Sequence, residues 1–512
     1  MFSFFRPGPS RPDPSRPGKP AFGFQPYIRA CLLTVSMLGL FASAGCASAT
    51  PSRGFKPVAE TVTAHGGPRV IWRSDTPQDH EAAAGVDALL KQPLTADCAV
   101  QVALLNNSTL QATYEEIGIA QADLVQAGLL SNPVFGVSAR RRSPGPTATA
   151  WGFSLVQNFL ELLNRPLHKK IAAAELERTR LRVSHEVFSL AGMVRRDYYT
   201  LQANQQLLGR LDEIVKGNEA AAEIAMRQRN AGTLGELGQS VQQSSLDQTR
   251  LLAIQLRLQC QRDREALNRD MGLTGDALTW QLTAELAEPP ENDPPLAGME
   301  ARAVAQRLDL AAARAETEGY YQDLRRTRGF RFVNRVELGY QTEKPLEAEP
   351  GAPRLSGPEI SLEIPLFDRG QGKVPLALAL LRQSQARTRE REVSVRSEVR
   401  EAHARLQASR EMIHLYETDV LPLRRRIVTL TLQQYNAMLK GVYDLLLAKQ
   451  AELEAERGSI EALRDYWISR SELERAVGGS LPDDLPASSA APTPPGDSPA
   501  IPQPIPSPTV TP

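Results

Sequence analysis

The stretches VELGYQ (residues 336–341) and PEISLEIPLF (residues 358–367) decide how this chain folds. In the first, Val336, Leu338 and Tyr340 interleave with Glu337, Gly339 and Gln341. In the second, Ile360, Leu362, Ile364 and Leu366 interleave with Ser361 and Glu363. Period-two alternation marks strands whose two faces meet different media. A break at Phe367-Asp368-Arg369-Gly370-Gln371-Gly372 follows, and then a long stretch rich in Ala, Leu, Gln, Glu and Arg. The reading is a hairpin over 335–367 that feeds a helix over 372–438, a turn at Lys440-Gly441 and a helix over 442–478. Pro422 inside the long helix predicts a bend, because it frees one backbone carbonyl.

The same plan occurs earlier in the chain. Val134–Ala139 and Trp151–Phe159 alternate on either side of a polar loop, RRRSPGPTATA, that holds Arg140, Arg141 and Arg142. This hairpin, 133–160, leads to a helix over 165–230, with Pro166 suited to a first turn, and then to a helix over 236–271. The chain therefore divides into a first repeat (96–275), a Pro-rich link (276–298) and a second repeat (299–480). Asn107-Ser108-Thr109-Leu110 answers Arg307-Leu308-Asp309-Leu310, Phe153-Ser154-Leu155 answers Ile360-Ser361-Leu362, and Gly232 answers Gly441. A repeat of this length is no solenoid unit; it reads as duplication of a half-protein. Leu246, Ala253, Cys260 and Leu267 recur every seven residues, as do Leu446, Leu453, Ile460 and Trp467, which favours coiled-coil packing. Leu251, Ile254 and Leu258 add a second apolar stripe, suited to a wall with neighbours on both sides.

The flanks differ in kind. Arg6, Arg11, Arg16, Lys19 and Arg29 precede the apolar run CLLTVSMLGLFASAG, so residues 1–45 read as a secretory signal peptide. Ser43-Ala44-Gly45-Cys46 has the form of a lipobox with Cys46 as the lipidated residue; Ala42-Ser43-Ala44 also suits ordinary signal peptidase. Residues 46–95 lack clear periodicity and read as an extended tether. The Pro/Ser/Ala tail 481–512 has no means of building a core. Cys98 and Cys260 are left as one disulfide or two buried thiols, the second being favoured.

Fifty-nine basic residues balance 59 acidic ones, so charge gives no reason to propose nucleic acid. The histidines show no metal-ligand spacing, and neither G-x-S-x-G nor H-E-x-x-H occurs. Gly370-Gln371-Gly372-Lys373 lacks the earlier glycine of a phosphate loop. No enzyme, cofactor or resident metal is expected.

Each strand approaches the length of a tilted membrane strand. Four strands are too few to close a barrel, and open edges are not tolerated in lipid. Such a chain must pool its strands with other copies, three of which give twelve. The apolar face then meets lipid, and Glu337, Gln341, Ser361 and Glu363 face a wet lumen.

The segments GLLSNPVFGVS (128–138), ISLEIPLFDRGQGK (360–373) and DVLPLRRRIVTLTLQQYNAMLKGVYDLLLAKQAELEAER (419–457), in their order and in both repeats, resemble the TolC-like outer-membrane channels of efflux and type I secretion systems. The resemblance covers about residues 95–478. It implies a mainly α fold with a transmembrane β-barrel: a homotrimer forming a 12-stranded barrel in outer-membrane lipid of a Gram-negative bacterium and an α-helical coiled-coil barrel in the periplasm. It also implies docking to a periplasmic adaptor (membrane fusion) protein and an inner-membrane pump. The helical turns near Gly232 and Gly441 become the periplasmic mouth; Asp444 matches a pore-ringing acid, and Tyr435 and Lys440 fall where closing contacts occur. Asp444 also reads as a helix N-terminal acid favoured by the dipole, and Leu447 stands where some relatives carry another acid. The competing class is an exported coiled-coil adaptor, which requires a compact β-rich lipoyl-like domain not visible here.

Overall fold

A computed structural model of the chain describes residues 52–73, 77–141, 149–333, 335–343 and 355–481. The signal peptide, Cys46, Arg142, most of both hairpin loops and nearly all of the tail lie outside the described residues. In chain order the elements are α1 (Ser52–Ala64), α2 (Pro77–Leu90), α3 (Ala96–Asn106), α4 (Ser108–Ala127), β1 (Val134–Arg141), β2 (Thr149–Asn158), α5 (Phe159–Asn230) and α6 (Glu236–Asp270). The second half adds α7 (Met299–Gln306), α8 (Leu308–Gly329), β3 (Val336–Glu343), β4 (Leu355–Leu362), α9 (Lys373–Leu415), α10 (Leu421–Asn436) and α11 (Val442–Val477).

The two hairpins join into one antiparallel sheet in the order β1-β2-β3-β4. Beside it stands a layer of four helices, α4-α5-α8-α9, and farther along a second layer, α6-α5-α11-α10, α5 serving both. α5 runs for 72 residues, about 108 Å at 1.5 Å per residue. Its first turn is fixed by Asn158, whose side chain accepts a hydrogen bond from the Leu160 N–H at 3.1 Å. The helix therefore starts six residues before the expected position, and Pro166 sits inside it, omitting only the bond to the Leu162 carbonyl. The expected helix 372–438 is α9 and α10 with a π turn, Tyr416–Val420, between them. Pro422 leaves the Thr418 carbonyl without its helical partner, and the wider turn absorbs the mismatch. Gly458 on α11 gives this turn room, since a Cβ there would collide with the Tyr416 hydroxyl.

The duplication shows in the packing. Val187, Ala191, Val194 and Tyr198 of α5 are buried in one core, and Val395, Val399, Ala402 and Leu406 of α9 hold the corresponding places in the other. The heptad residues Leu246, Ala253, Cys260 and Leu267 are all buried, whereas Leu251 and Ile254 are 59% and 60% exposed. Cys98 and Cys260 are free thiols; Cys260 is buried, Cys98 half-buried.

Two expectations need correction here. Residues 52–64 and 77–90 are helices rather than an extended tether: α1 buries Val58 and Val62, and Phe55 meets the Tyr114 ring edge-on at 4.9 Å. The arm also reaches the end of the second repeat, where the Ser480 N–H donates to the His65 carbonyl at 3.3 Å. α1 carries Pro57, Gly54 and two threonines, poor helix formers, so packing rather than propensity holds it helical. Second, β4 ends at Leu362, leaving Glu363, Ile364 and Leu366 beyond the sheet.

Residues 280–298 form no helix or strand; this strap starts on the first core, where Trp280 is buried, and its later part crosses the second. Arg410 grips Asp293 through Nη2 at 2.8 Å and donates to the Pro290 carbonyl at 2.7 Å, while the Tyr466 hydroxyl donates to Asp293 at 2.7 Å. Trp467 Nε1 holds the Ala287 carbonyl at 2.8 Å. Burial alone would raise the Asp293 carboxyl, but the hydrogen bonds from Arg410 and Tyr466 outweigh it and hold the group below the ordinary carboxylate range. A carboxyl so depressed contributes stability above its unfolded pKa and loses that contribution as pH falls through the folded value. Asp293→Asn is therefore expected to cost about 1–3 kcal/mol near pH 7, with the gap from the native chain closing below about pH 4. Thermal melts by circular dichroism between pH 7 and pH 3 check this; a gap independent of pH contradicts it.

Candidate functional site

The register sorts the sheet into two unlike faces. Phe135, Val137 and Ala139 on β1 stand opposite Leu155, Phe153 and Trp151 on β2. Leu155 pairs with Tyr340, and Leu338 with Ile360. All of these large apolar side chains are exposed, Ile360 to 73%. Nothing within the described chain covers this face. The other face is mostly small and polar, with Ser154 opposite Gln341, Asn158 opposite Glu337 and Glu337 opposite Ser361, and carries Val134, Val156 and Leu355 toward its margins. Gly136 and Gly152 each confront a serine across the hairpin, and a Cβ would stand 2.6 and 2.7 Å from Ser154 Oγ and Ser138 Oγ.

Of the four residues expected on the polar face, Glu337, Gln341 and Ser361 lie there. Glu363 keeps one backbone bond, its N–H donating to the Arg335 carbonyl at 3.2 Å, but lies past the strand. Two further acids share the face, Glu343 and Glu359, by the parity of the register. Arg140, expected in a solvated loop, is in β1 and pairs with Glu343 at 3.3 Å; Arg141 is in β1 as well. Carrying the 337-339-341 alternation two residues further would have found Glu343.

The far ends of the helices form two matching turns. Gly232 adopts φ +74° and Met438 φ +63°, both left-handed. Each next residue donates its N–H to the carbonyl five back, Thr233 to Gln228 and Leu439 to Gln434, both at 2.9 Å. Gly235 and Gly441 then start α6 and α11 from extended backbone. The structural partner of Gly232 is thus Met438, and Gly441 answers Gly235, which corrects the pairing read from sequence. Asp444 accepts from the Gly441 N–H at 3.0 Å, half of a capping box, since the N-cap glycine has no side chain to return the bond. Tyr443 donates to Gln228 Oε1 at 3.0 Å and ties the second turn to α5. Tyr435 and Lys440 are exposed and make no side-chain hydrogen bond or ion pair among the described residues. Met438 is 94% exposed. A polar ladder crosses this layer, Gln450 Nε2 donating to Asn218 Oδ1 at 3.0 Å and Asn218 Nδ2 to Thr249 Oγ1 at 2.7 Å.

At all three levels the wall stops on the same two sides. One side ends in first-repeat elements, β1, α4 and α6; the other in second-repeat elements, β4, α9 and α10. The exposed stripe of Leu251, Ile254 and Leu258 lies on α6, and Leu423, Leu430 and Leu432 are exposed on α10. Among the described residues no helix is long and apolar enough to cross a membrane, and no cluster of three or more His, Cys, Asp or Glu is placed to hold a metal ion.

Residues 300–479 match the family model described as outer membrane efflux protein. The fold is that of solved outer-membrane channels. The crystal structure of the CmeC outer membrane channel of Campylobacter jejuni superposes with TM-score 0.65 at 15% identity, over 75% of this chain and 85% of that one. The outer membrane protein VceC of Vibrio cholerae gives 0.61 at 16% identity, over 77% and 96%. The open state of the MtrE outer membrane channel of Neisseria gonorrhoeae gives 0.60 at 16% identity, over 74% and 88%. No curated protein matches the chain significantly. The resemblance to TolC-like outer-membrane efflux channels drawn from the sequence thus holds both in the second repeat's sequence and in the fold.

Proposed function

We propose that three copies of this chain close into a passive exit duct of the outer membrane, serving an efflux or type I secretion system. The observation that carries this reading is the pair of open sides shared by the sheet and both helical layers. A surface that ends on first-repeat elements at one side and second-repeat elements at the other joins head to tail and closes by rotation. The four-stranded sheet has its apolar face bare, and its edge N–H and C=O groups each cost several kcal/mol if left unpaired in lipid. Closure pairs β4 of one copy with β1 of the next, giving a 12-stranded barrel, and seats α10 against the α6 stripe of its neighbour. The apolar face then meets lipid, with Glu337, Gln341, Glu343, Glu359 and Ser361 around the lumen. The helical tube extends into the periplasm, where the tips meet an adaptor protein and, through it, an inner-membrane pump that supplies the energy. The alternative, a periplasmic coiled-coil adaptor, leaves the bare apolar sheet face unexplained. Cys46, a few residues before α1, is the lipid anchor; Cys46→Ser is expected to abolish palmitate labelling, and retained label refutes the anchor.

The gate reading places Asp444, Lys440, Gly441, Tyr435 and Gly232 at the periplasmic mouth, where three copies of Asp444 ring the pore. Asp444→Asn keeps an acceptor for the Gly441 N–H but removes the charge. It is expected to weaken block by multivalent cations in planar bilayers about as much as Asp444→Ala does. Block that falls only in the alanine variant assigns Asp444 to helix capping alone. For the assembly itself, cysteines placed at Leu251 and Leu423, at similar depth along α6 and α10, should cross-link into a trimeric ladder on oxidation. Monomer alone on non-reducing gels contradicts the closure.

A further inference from the structure

Where sheet gives way to helices, the second repeat carries a basic surface that the duct reading leaves unassigned. α8 ends in the run RRTRGFRF (325–332), and Arg335 follows; over residues 321–335 five arginines stand against Asp323 alone. The first repeat shares the Asp-Leu step, at 123–124 against 323–324, but continues as VQAGLLSNP without a charge. The basic run is therefore not a requirement of the joint, because the first copy makes the same joint without it.

Arg326, Arg331 and Lys373 converge with Asn164 on a cavity of about 280 Å³ between the end of α8 and the starts of α5 and α9. Arg326 is held by Asp323 at 2.7 Å and Lys373 by Asp368 at 2.9 Å, whereas Arg325, Arg328 and Arg331 form no ion pair among the described residues. Arg331 lies 4.2 Å over the ring of Phe332. Asn164 Oδ1 is buried without a hydrogen-bond donor among the described residues. Around the cavity the apolar side chains point out: Phe332, Leu366 and Leu376 are exposed, and Phe367 is 91% exposed. Cations interleaved with bare aromatic and aliphatic groups compose a membrane–water interface, and a guanidinium grips a phosphate oxygen pair better than a point charge does.

We infer that this cavity seats the headgroup of an anionic phospholipid, phosphatidylglycerol, from the leaflet that adjoins the helical layer. The phosphodiester lies against Arg331 and Lys373, a glycerol hydroxyl donates to Asn164 Oδ1, and the acyl chains leave along the apolar lip. A zwitterionic headgroup brings its own ammonium to the arginines and fits worse. The inference rests on the membrane placement of the sheet. The full chain is reconstituted into nanodiscs of equal phosphatidylglycerol and phosphatidylethanolamine, and the lipids retained on the assembly are counted by native mass spectrometry. Phosphatidylglycerol is expected to be retained at least threefold over phosphatidylethanolamine. R331Q/K373Q is expected to lose that enrichment, R331K/K373R to keep most of it, and R227Q at the far tip to leave it unchanged. Equal retention in the native chain, enrichment that survives R331Q/K373Q, or enrichment stripped by excess glycerol 1-phosphate overturns the lipid site. Failure to enter the disc at all contradicts the duct, and the site with it.

Discussion

Backbone groups at a sheet edge must find partners, and in lipid no water is there to supply them. β1 and β4 are such edges, and the apolar residues between them are bare on one face. Every other feature of the chain is compatible with this one requirement. The helices extend the same four-element wall, first-repeat elements end one side and second-repeat elements the other at each level, and exposed leucines line α6 and α10 there. Burying a leucine or isoleucine side chain is worth about 1.5–3 kcal/mol, so in the proposed trimer helical seams would reinforce the pairing of the strands.

The long helices depend in turn on what crosses them. α5 and α9 carry their longest buried faces where the two cores lie, Val183–Leu207 on α5 and Val395–Ile413 on α9. There the strap 280–298 is pinned by Arg410, Tyr466 and Trp467, and Arg264 stacks 4.0 Å over the Trp280 ring in the first core. Arg307, almost fully buried, ties the start of α8 to α9 within the second repeat by pairing with Asp309 at 2.8 Å and with Glu398. A buried guanidinium of this kind is tolerated because both carboxylates are fixed beside it. Toward the tips the cores thin out, and polar ladders such as Gln450–Asn218–Thr249 cross the wall.

Much of this was legible in the residues, for identifiable reasons. Alternation exposed the strands because their faces differ so sharply, and recurrence of one plan exposed the duplication. What escaped notice was set by contacts rather than by pattern. The arm 52–90 reads as irregular because Pro57 and its threonines mask a helix that only packing against Tyr114 and the α5 face maintains. Asn158, not Pro166, starts α5, since a side-chain cap at the strand end outweighs the preference of proline for a first turn. The tips were paired by their glycines, although backbone conformation equates Gly232 with Met438, a residue that pattern gives no reason to place at positive φ. Asp444 was legible as a cap or a pore acid; the cap is present, and the ring awaits its neighbours.

The central claim is that one chain supplies a third of a closed wall. Native mass spectrometry of the protein extracted from outer membranes in mild detergent measures this directly. The account predicts a single species of three chains. A monomer, a dimer or a tetramer as the dominant species would contradict it.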